Sequence, residues 1–449
     1  MSKVKSVYDD KKFYKRVLFL RKSQFWNKKK LHEYQLSKFK FLFRYVKQKI
    51  PFYSNYIEKY KIKEADFKTL EDIKLLPLIN KKLIQRNLNL FLPKNINKKK
   101  LFQRTTGGST ATPLTVWADY NVKITNAANT QHYMEVFDLD IFKYKSVRLY
   151  GDKIKDKLIN KNIYWMVKNK KILVLSSYHI NRKNVPIYLE AISNHQPKYI
   201  HTRASAIYSL SKFILEEKIK ITFNLKYIFS DGEYLTKGQR KIIEQVFSCR
   251  MINNYGHTES VLVGHPCKFS NSLHFMPQNG ILELLDNNGN EIKTIGQKGE
   301  MVGTGFNNFI FPLIRYQTGD IAVKGEDKCK CGRNYKILSE VEGRSQDYVI
   351  DKKNNIVPLA PAIFNYNDMD WKGIDEFKVI QKNRGQLKIL IQPNKYLKSK
   401  GRTGLDKVCK KIKEILGPNF LVNGSFVSEL KKSPVGKYRY LDQKLKINF

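Results

Sequence analysis

The sequence predicts an α/β protein with a large N-terminal domain, built from layered sheets and an antiparallel subdomain, and a small α+β C-terminal domain. Three observations predict this architecture. Short apolar runs alternate with amphipathic stretches over 101–260, a turn-rich stretch follows at 280–343, and a hairpin pattern, a helix pattern and a basic tail come after it. The predicted domains are therefore 1–343 and 344–449.

The first 100 residues are predicted to be mostly helical. LHEYQLSKFKFLFRYVKQKI carries apolar residues at approximately helical spacing, and Pro51 is expected to end that helix. A further helix is predicted over 69–88, beginning with a capping box between Thr69 and Asp72. We therefore expect a helical N-terminal region ahead of the sheets.

Residues 101–260 are predicted to alternate between strands and helices. Helices are predicted over 204–218 and 236–248. Strand–helix alternation is typical of a largely parallel sheet. The apolar runs that we interpret as buried strands are VRLYG at 147–151, KILVLSS at 171–177, PKYIHT at 197–202 and LKYIFSDGE at 225–233.

After residue 280 the pattern changes to antiparallel pairs. GILELLDNNGNEI places the turn DNNGN between two strand-like pieces, which indicates a hairpin. Farther on, KVIQKNRGQLKILIQP has the pattern of another hairpin, and GLDKVCKKIKEILG has that of an amphipathic helix. These pieces are enough for a small separate α+β domain at the C-terminal end.

The formal net charge is +43, yet the kind of basic residue argues against a nucleic-acid function. Only 16 of the 83 basic residues are arginine, the side chain preferred for bidentate contacts to phosphates and bases. The lysines are spread along the whole chain, which indicates a compositional bias toward lysine on solvated faces. We predict no nucleic-acid partner, although the charge can attract anionic ligands or, weakly, an anionic membrane surface.

The sequence predicts a cytoplasmic protein without a transmembrane segment. No stretch approaches the apolar length of a membrane span, and the run VLFL near the start is too short for the apolar part of a signal peptide. Five cysteines in a reducing compartment argue against a disulfide framework.

One run, RTTGGSTATP at 104–113, is rich in small, hydrogen-bonding residues. Such a cluster is typical of a surface loop. It also suits phosphate binding, because glycine lets main-chain N–H groups turn inward and hydroxyls add donors. Four further pieces follow in order: SDGEYL at 230–235, NNYGHTES at 253–260, RYQTGD at 315–320 with GRSQD at 343–347, and SPVGKYRYL at 433–441.

The order and spacing of these five pieces resemble the adenylate-forming superfamily of acyl- and aryl-CoA synthetases. The resemblance covers nearly the whole chain and points to the phenylacetate–CoA ligase branch, especially its CapK-like members linked to capsular polysaccharide synthesis. It implies an AMP-forming ligase that activates a carboxylic acid with ATP and Mg²⁺ and then transfers the acyl group to a thiol. CoA is the implied acceptor. A carrier protein or a sugar amine stays open as an alternative acceptor. A homo-oligomer is also left open.

The resemblance assigns the polyphosphate of ATP to the glycine–hydroxyl loop. Main-chain N–H groups and hydroxyls there would neutralise charge without a bulky side chain in the way. The family usually has glycine where this chain has Ala111, which puts the loop conformation in doubt if that position needs a positive φ. The implied loop residues are Thr105, Thr106, Gly107, Gly108, Ser109 and Thr110.

In YGHTE, the resemblance implies that Glu259 holds Mg²⁺, since a hard cation prefers oxygen ligands. Thr258 is expected to contact the α-phosphate. Tyr255 is expected to stack on adenine, with Gly256 beside it in the nucleotide site. For His257 two interpretations stay open, a spacer in the wall of the acyl pocket or a polar contact to the substrate.

The remaining motif residues complete the implied nucleotide site. Gly232 and Glu233 resemble the segment whose main chain reads the adenine edge. Asp320 would accept hydrogen bonds from both ribose hydroxyls, which suits a carboxylate. Arg344 would contact ribose or phosphate. Lys437 would be the adenylation lysine, stabilising charge between the substrate carboxylate and the α-phosphate.

The C-terminal domain is, by the same resemblance, a mobile lid that rotates between the two half-reactions. The hinge falls near Gln346, where family members commonly have aspartate or lysine. Glutamine keeps the polarity and loses the charge. This departure, with Ala111, supports an alternative in which the chain keeps the fold and acts as a basic binding or scaffold protein.

A cysteine–histidine set predicts a structural zinc site in the large domain. Three thiols and an imidazole suit tetrahedral Zn²⁺, and members of the branch have a Cys–His pair after the TE motif and a CxCG pair after TGD. His265 is a possible substitute for the histidine ligand. The predicted ligands are Cys267, His274, Cys329 and Cys331.

The acyl pocket is not readable from the sequence. Its residues are expected from about 130–260, where the family diverges. Candidates are Tyr133, Tyr150, His179 and His201, for which ordinary packing is the competing interpretation.

Overall fold

The computed structural model describes residues 6–105, 114–152, 154–344, 348–359, 373–430 and 440–445. The chain divides into two compact units, which we call unit 1 (Met1–Lys143 and Asn254–Val341) and unit 2 (Tyr144–Asn253 and Glu342–Phe449). The predicted α/β class is confirmed, with a large multi-stranded sheet and a smaller α+β region near the C-terminus. The predicted domain boundary at 343/344 stays a prediction.

Unit 1 begins with helices, as the apolar pattern predicts. Asn27 caps the second helix by accepting a hydrogen bond from the backbone of Lys30. That helix ends before Pro51 as expected, and Pro51 then starts the next helix, because a helix needs no N–H at its first position. The helices of unit 1 are α1 Lys11–Ser23, α2 Lys28–Lys49, α3 Pro51–Lys59, α4 Lys81–Arg86 and α5 Tyr120–Val136.

The single helix predicted over 69–88 is wrong. The segment holds a 3₁₀ turn, Glu71–Leu75, and then α4. The Asp72 carboxylate does accept hydrogen bonds from the N–H and hydroxyl groups of Thr69, as in a capping box. Pro77 prevents continuation, since it lacks an N–H and disfavours helical geometry in the residue before it.

The main sheet of unit 1 is antiparallel, with the order β11-β12-β13-β14-β10-β9-β8. The DNNGN turn does follow β11 as predicted, but the partner strand β12 starts later, at Lys298. Strands are numbered in chain order: β1 Phe102–Thr105, β2 Thr115–Ala118, β8 Arg250–Gly256, β9 Val263–Cys267, β10 Ser270–Phe275, β11 Gly280–Leu285, β12 Lys298–Gly305, β13 Tyr316–Lys324 and β14 Lys336–Arg344.

The core of unit 1 lies between this sheet and the N-terminal helices. Phe39 and Phe43 from α2 and Tyr53 from α3 are fully buried in the same cluster as Leu284 and Met301 from the sheet. Burial of these large apolar groups fixes the helices on the sheet. The strands that carry the motif residues are therefore held on a packed support.

Unit 2 contains the predicted parallel sheet, in the order β7-β6-β3-β5-β4, where only β4 is antiparallel to its neighbour. All four strands and both helices predicted from 147 to 248 are confirmed within a few residues. The elements are β3 Ser146–Tyr150, α6 Asp156–Ile159, β4 Trp165–Lys168, β5 Ile172–Ser176, α7 Val185–His195, β6 Tyr199–Thr202, α8 Ala204–Glu216, β7 Tyr227–Asp231 and α9 Lys237–Phe247.

The rest of unit 2 is the small α+β region, whose four-stranded sheet has the order β19-β18-β17-β20. The predicted hairpin and amphipathic helix are both confirmed. In the described part of the chain, no helix combines the length and apolar character needed to cross a membrane. The elements are β15 Tyr348–Ile350, β16 Ile356–Pro358, β17 Ile374–Asn383, β18 Gln386–Pro393, α10 Lys395–Ser399, α11 Gly401–Leu416, β19 Leu421–Phe426 and β20 Leu441–Gln443.

Candidate functional site

The glycine–hydroxyl loop connects two paired strands. β1 and β2 form an antiparallel ladder in which Thr105 lies opposite Thr115. Arg104 on β1 donates from Nη1 to the hydroxyl of Ser260, at 3.2 Å. This contact places the base of the loop beside the end of NNYGHTES, two motifs that lie 156 residues apart in the sequence.

Glu259, the predicted magnesium ligand, is a buried carboxylate with only 4% of its surface exposed. Oε1 accepts a 2.8 Å hydrogen bond from the hydroxyl of Tyr316, and Oε2 accepts one from Nδ1 of His257 at 3.1 Å. Burial alone raises the pKa of Glu259, but the hydrogen bond from His257 and then that from Tyr316 outweigh it and lower the pKa to about 2. The carboxylate is therefore held in its charged form.

His257 orients Glu259 through both of its ring nitrogens. The backbone N–H of Leu262 donates to Nε2 at 3.2 Å, so Nε2 carries no proton in this arrangement. The proton then resides on Nδ1 and faces the Glu259 carboxylate. Both nitrogens of the imidazole are therefore used in hydrogen bonds within the protein. Neither sequence interpretation of His257 anticipated this.

Asp320 is joined directly to the YGHTE motif. It lies on β13 with 7% of its surface exposed, and its Oδ2 accepts a 2.6 Å hydrogen bond from the hydroxyl of Tyr255. The preceding residue, Gly319, has a φ of +74°, a conformation that glycine adopts without strain. Gly256 has open space where a Cβ would stand, so its backbone is approachable. The structure thus brings two motifs of the predicted nucleotide site together in unit 1.

The SDGE segment lies at the end of β7 in unit 2. Gly232 has a φ of +66°, which turns the chain sharply. The carboxylate of Glu233 accepts a 2.8 Å hydrogen bond from the backbone N–H of Ser205 in the first turn of α8. Asn253 donates to the Glu233 carbonyl at 3.4 Å. The Glu233 side chain thus caps a helix, and the contact of this turn with adenine stays a prediction.

Several predicted residues lie outside what the structure describes. For Thr105 and Arg344 only the backbone is described, at the ends of β1 and β14. The hinge residue Gln346 and the loop residue Ala111 also lie outside the described residues. The other site residues in this group are Thr106, Gly107, Gly108, Ser109, Thr110 and Lys437.

Two acyl-pocket candidates meet at the carboxyl ends of neighbouring parallel strands in unit 2. Tyr150 donates to Oδ2 of Asp231 at 3.1 Å, and Nε2 of His201 lies 3.4 Å from the same oxygen. Arg203 binds the other oxygen at 2.6 Å. The cluster lies at the edge of the sheet where ligands of open α/β sheets bind. His179 instead stacks on a tyrosine ring, as ordinary packing predicts.

Two known proteins are similar to this chain over most of its length. The chain is 27% identical to the protein CapK of Staphylococcus aureus over 439 residues, covering 93% of this chain and 90% of that protein. It is 22% identical to a phenylacetate-coenzyme A ligase of Thermus thermophilus over 342 residues, covering 74% of each chain. The predicted resemblance to CapK-like members of the adenylate-forming superfamily is confirmed. It matches no protein-family model.

Solved structures show the same fold. A 2-hydroxyisobutyryl-CoA ligase in the postadenylation state, in complex with R3-HIB-AMP, superposes with a TM-score of 0.69 at 16% identity, covering 93% of this chain and 90% of that one. An open conformation of that ligase in complex with 2-HIB-AMP and CoA superposes with a TM-score of 0.56 at 17% identity, covering 91% of each chain.

The predicted metal ligands also converge, in unit 1 of this CapK-like chain. Cys267, His274, Cys329 and Cys331 offer one ligand atom each, all within 4.8 Å of one another. Sγ of Cys267 lies 3.6 Å from Sγ of Cys329, and Sγ of Cys331 lies 3.4 Å from Nε2 of His274. Nδ1 of His274 lies 3.0 Å from the carbonyl of Ser272, which leaves Nε2 for the cluster.

The alternative ligand, His265, is not part of this cluster. It lies opposite His274 across the β9–β10 pair, and its Nδ1 lies 2.9 Å from the carbonyl of Pro266. Because the two histidines lie directly opposite each other on paired strands, residue type and spacing alone could not choose between them.

Sequence reasoning missed the residues that support the motif carboxylates. Tyr316, Arg104 and Ser260 stand inside or beside motifs already singled out, but nothing in their spacing shows that they contact one another. The only signal in the sequence for these three residues was their position, because each lies next to a residue to which the motifs assigned a role. Long-range hydrogen bonds of this kind are fixed by strand pairing.

Proposed function

We propose that this chain activates a carboxylic acid with ATP, forming an acyl-adenylate and pyrophosphate, and then transfers the acyl group to CoA. One observation carries the proposal: Glu259 is a buried, charged carboxylate immediately beside Ser260, to which the base of the glycine–hydroxyl loop is hydrogen-bonded. A charged carboxylate next to a phosphate-binding loop is the arrangement that a metal–nucleotide complex requires. The name of one relative, a phenylacetate-coenzyme A ligase, supports the same chemistry.

Each motif residue has a role in this proposal, and the described contacts of Glu259, Asp320 and Tyr255 support theirs. Glu259 fits Mg²⁺ because it is ionised and because a carboxylate accepting two hydrogen bonds retains further lone pairs. Asp320 accepts from the ribose hydroxyls, and Tyr255, tied to Asp320, presents its ring to adenine. Thr258 and Arg344 contact phosphate or ribose. Lys437 stabilises the developing charge at the reacting carboxylate.

The acceptor and the biological setting rest on the relatives. The superposed ligase was solved with CoA and an acyl-AMP, which supports CoA as the acceptor here. The resemblance to CapK-like members linked to capsular polysaccharide synthesis is the ground for proposing a role in surface polysaccharide synthesis, and an amine or carrier-protein acceptor is the alternative. Cytoplasmic location follows from the same setting and stays part of the proposal.

A structural zinc ion is the second part of the proposal, and the geometry of the cluster fits it. Tetrahedral zinc with Zn–S of about 2.3 Å and Zn–N of about 2.0 Å requires S···S of about 3.8 Å and S···N of about 3.5 Å. The observed 3.6 Å and 3.4 Å lie close to these values. With four protein ligands the site is closed, so the ion would hold β9, β10 and the 329–331 turn together.

ATP–pyrophosphate exchange with a panel of carboxylic acids tests the enzyme proposal. Wild type is expected to exchange with at least one acid. Lys437→Ala should lower the exchange rate by about 100-fold or more, as loss of one transition-state contact does, while Lys407→Ala on α11 should not. Asp320→Asn should weaken ATP binding, with the exposed Asp156→Asn as its matched control.

Two outcomes would contradict the proposal in different ways. ATP binding without exchange, for any acid, would favour the basic binding or scaffold protein that Ala111 and Gln346 suggest. Exchange that survives Lys437→Ala unchanged would remove that lysine from the mechanism while leaving the activity in place.

A further inference from the structure

Helix α1 has one face that is buried in unit 1 and one face that is open to solvent. Phe13 and Val17 on the buried face pack in one cluster with Ile124 and Ala128 of α5, which holds the helix along the surface of unit 1. Side chains at helical spacing on the opposite side are therefore exposed. They are Lys11, Tyr14, Lys15, Leu18 and Lys22, which we call the outer face of α1.

The outer face carries large apolar side chains. Tyr14 is 53% exposed and Leu18 is 51% exposed, and the two are neighbours one helical turn apart. Single exposed apolar residues are common, whereas adjacent ones form a patch that often marks an interaction site. Phe25, just beyond the end of the helix, is 56% exposed. Exposed apolar surface therefore continues at the C-terminal end of α1.

A second element adds to this surface at the same end of the helix. Lys268 and Phe269 form the two-residue turn between β9 and β10, and Phe269 is 65% exposed. Phe25 and Phe269 border the same surface cavity, so the turn lies beside the end of α1. Two separate elements of unit 1 thus expose a large apolar side chain in one region.

The same region is strongly basic. Residues 11–30 contain nine basic residues and no acidic residue. Lys11, Lys15 and Lys22 are exposed, and none of them forms an ion pair with another residue in the described part of the chain. The lysines of the outer face are therefore available to an anionic partner.

Three acidic side chains around α1 and the β9–β10 turn are engaged with other groups. Asp10 caps the helix by accepting a 2.9 Å hydrogen bond from the backbone N–H two residues on. Glu135 pairs with Arg21, and Asp138 pairs with Lys268 at 2.5 Å. These contacts leave the three lysines of the outer face without a neutralising carboxylate.

The mixture of lysines and apolar side chains favours one class of partner. A bilayer with anionic lipids presents phosphates at its surface and hydrocarbon directly beneath them. The long lysine stems can reach the phosphates while Tyr14, Leu18 and Phe25 leave water. The backbone of a nucleic acid would match the charge, but it would offer no apolar layer to Leu18.

We propose that the outer face of α1, together with Phe25 and the β9–β10 turn, docks on the surface of a bilayer that contains anionic lipids. The lysines pair with lipid phosphates, and the apolar side chains enter the headgroup region. Helix α1 lies along the surface, since its 13 residues are too few to cross a bilayer. The proposal does not depend on the adenylating activity.

The direct test is binding of the purified protein to lipid vesicles, measured by co-sedimentation. Vesicles of phosphatidylcholine with about 30% phosphatidylglycerol are compared with vesicles of phosphatidylcholine alone. We expect at least about tenfold tighter binding to the anionic vesicles, weakening as added salt screens the charges. Equal binding to both kinds of vesicle, or binding to neither, would overturn the proposal.

A matched pair of variants locates the contact, because the whole chain is basic and could be attracted without a specific face. Lys15→Glu/Lys22→Glu changes the outer face, and Lys407→Glu/Lys410→Glu makes the same charge change on the exposed side of α11. Each lysine near an anionic surface tightens binding about fivefold, so the first variant should bind at least about 25-fold more weakly. The α11 variant should bind nearly as wild type does. Equal losses would show that α1 is not the docking face.

Leu18 supplies a readout of insertion that charge alone does not move. Leu18→Ser should weaken binding to the anionic vesicles about fivefold, whereas the equally exposed Phe41→Ser on α2 should not. In separate variants, the fluorescence of Leu18→Trp should shift to the blue on binding and be quenched by brominated lipids, and that of Phe41→Trp should not. Binding that needs the lysines but shows neither Leu18 effect would indicate an acidic macromolecule as the partner and refute the bilayer.

Discussion

The hydroxyl of Tyr316 donates a 2.8 Å hydrogen bond to Oε1 of Glu259, and both side chains are buried. Tyr316 starts β13, the strand that also carries Asp320, whose carboxylate accepts from Tyr255. One strand therefore supports the proposed magnesium ligand and presents the proposed ribose ligand. A shift of this strand would disturb both carboxylates together.

Tyr316→Phe tests this support. The ring stays in the core, while Glu259 loses one of its two hydrogen bonds and part of its orientation. We expect the magnesium concentration for half-maximal ATP–pyrophosphate exchange to rise about five- to tenfold, equivalent to roughly 1 kcal/mol. Tyr335→Phe, which removes another buried hydroxyl of unit 1, should leave it unchanged. Equal behaviour of the two variants would contradict the role of Tyr316.

The pH dependence of stability should report on Glu259. Its pKa in the folded protein is lowered from 4.5 to about 2, so the charged form favours folding. This contribution, on the order of 3 kcal/mol, is fully present above about pH 5 and is lost as the pH falls toward 2. Glu259→Gln should flatten the acid limb of the free energy of unfolding, and the exposed Glu429→Gln should not. An acid limb identical to wild type in Glu259→Gln would rule out the pKa shift.

The metal cluster predicts zinc in the purified protein. Elemental analysis of wild type should find about one zinc ion per chain, and Cys331→Ser should lose it. The variant should melt at a lower temperature because three segments of unit 1 are no longer tied together. Cys249→Ser, outside the cluster, is the matched control. Wild type that contains no metal would disprove the site.

A buried ion pair should dominate the stability of unit 1 near the TGD motif. Arg315 donates to both oxygens of Glu283, at 2.9 to 3.2 Å, and from Nη1 to the carbonyl of Leu76 at 3.1 Å. Arg315→Met leaves an uncompensated buried carboxylate and should cost about 3–5 kcal/mol of unfolding free energy in denaturant titrations.

The double variant Arg315→Met/Glu283→Leu separates the two causes. If Arg315→Met lowers the unfolding free energy because it leaves the Glu283 carboxylate unpaired, the double variant should recover most of the lost stability. The exposed ion pair between Arg402 and Asp406 provides the control. Arg402→Met, which removes that pair, should change the unfolding free energy by less than about 1 kcal/mol. A double variant as unstable as the single one would show that Arg315 acts through packing instead.

Local patterns in the sequence predicted most of the elements. The helical stripe of α2, the strands β3, β5, β6 and β7, and the C-terminal hairpin were all predicted because burial of one face imposes a period on the residues. The failure over 69–88 is also local. Asp72 does accept from Thr69, but Pro77 makes the segment a turn followed by a short helix.

By itself, the sequence determined the α/β class, the family resemblance and the residues with suitable chemistry, because these depend on residue type and spacing. Only the tertiary structure decided which of those residues meet. Strand pairing and packing place Tyr316 on Glu259 and gather His274, not His265, with the three thiols. Contacts between distant segments follow from sheet pairing and packing, which a local pattern does not encode.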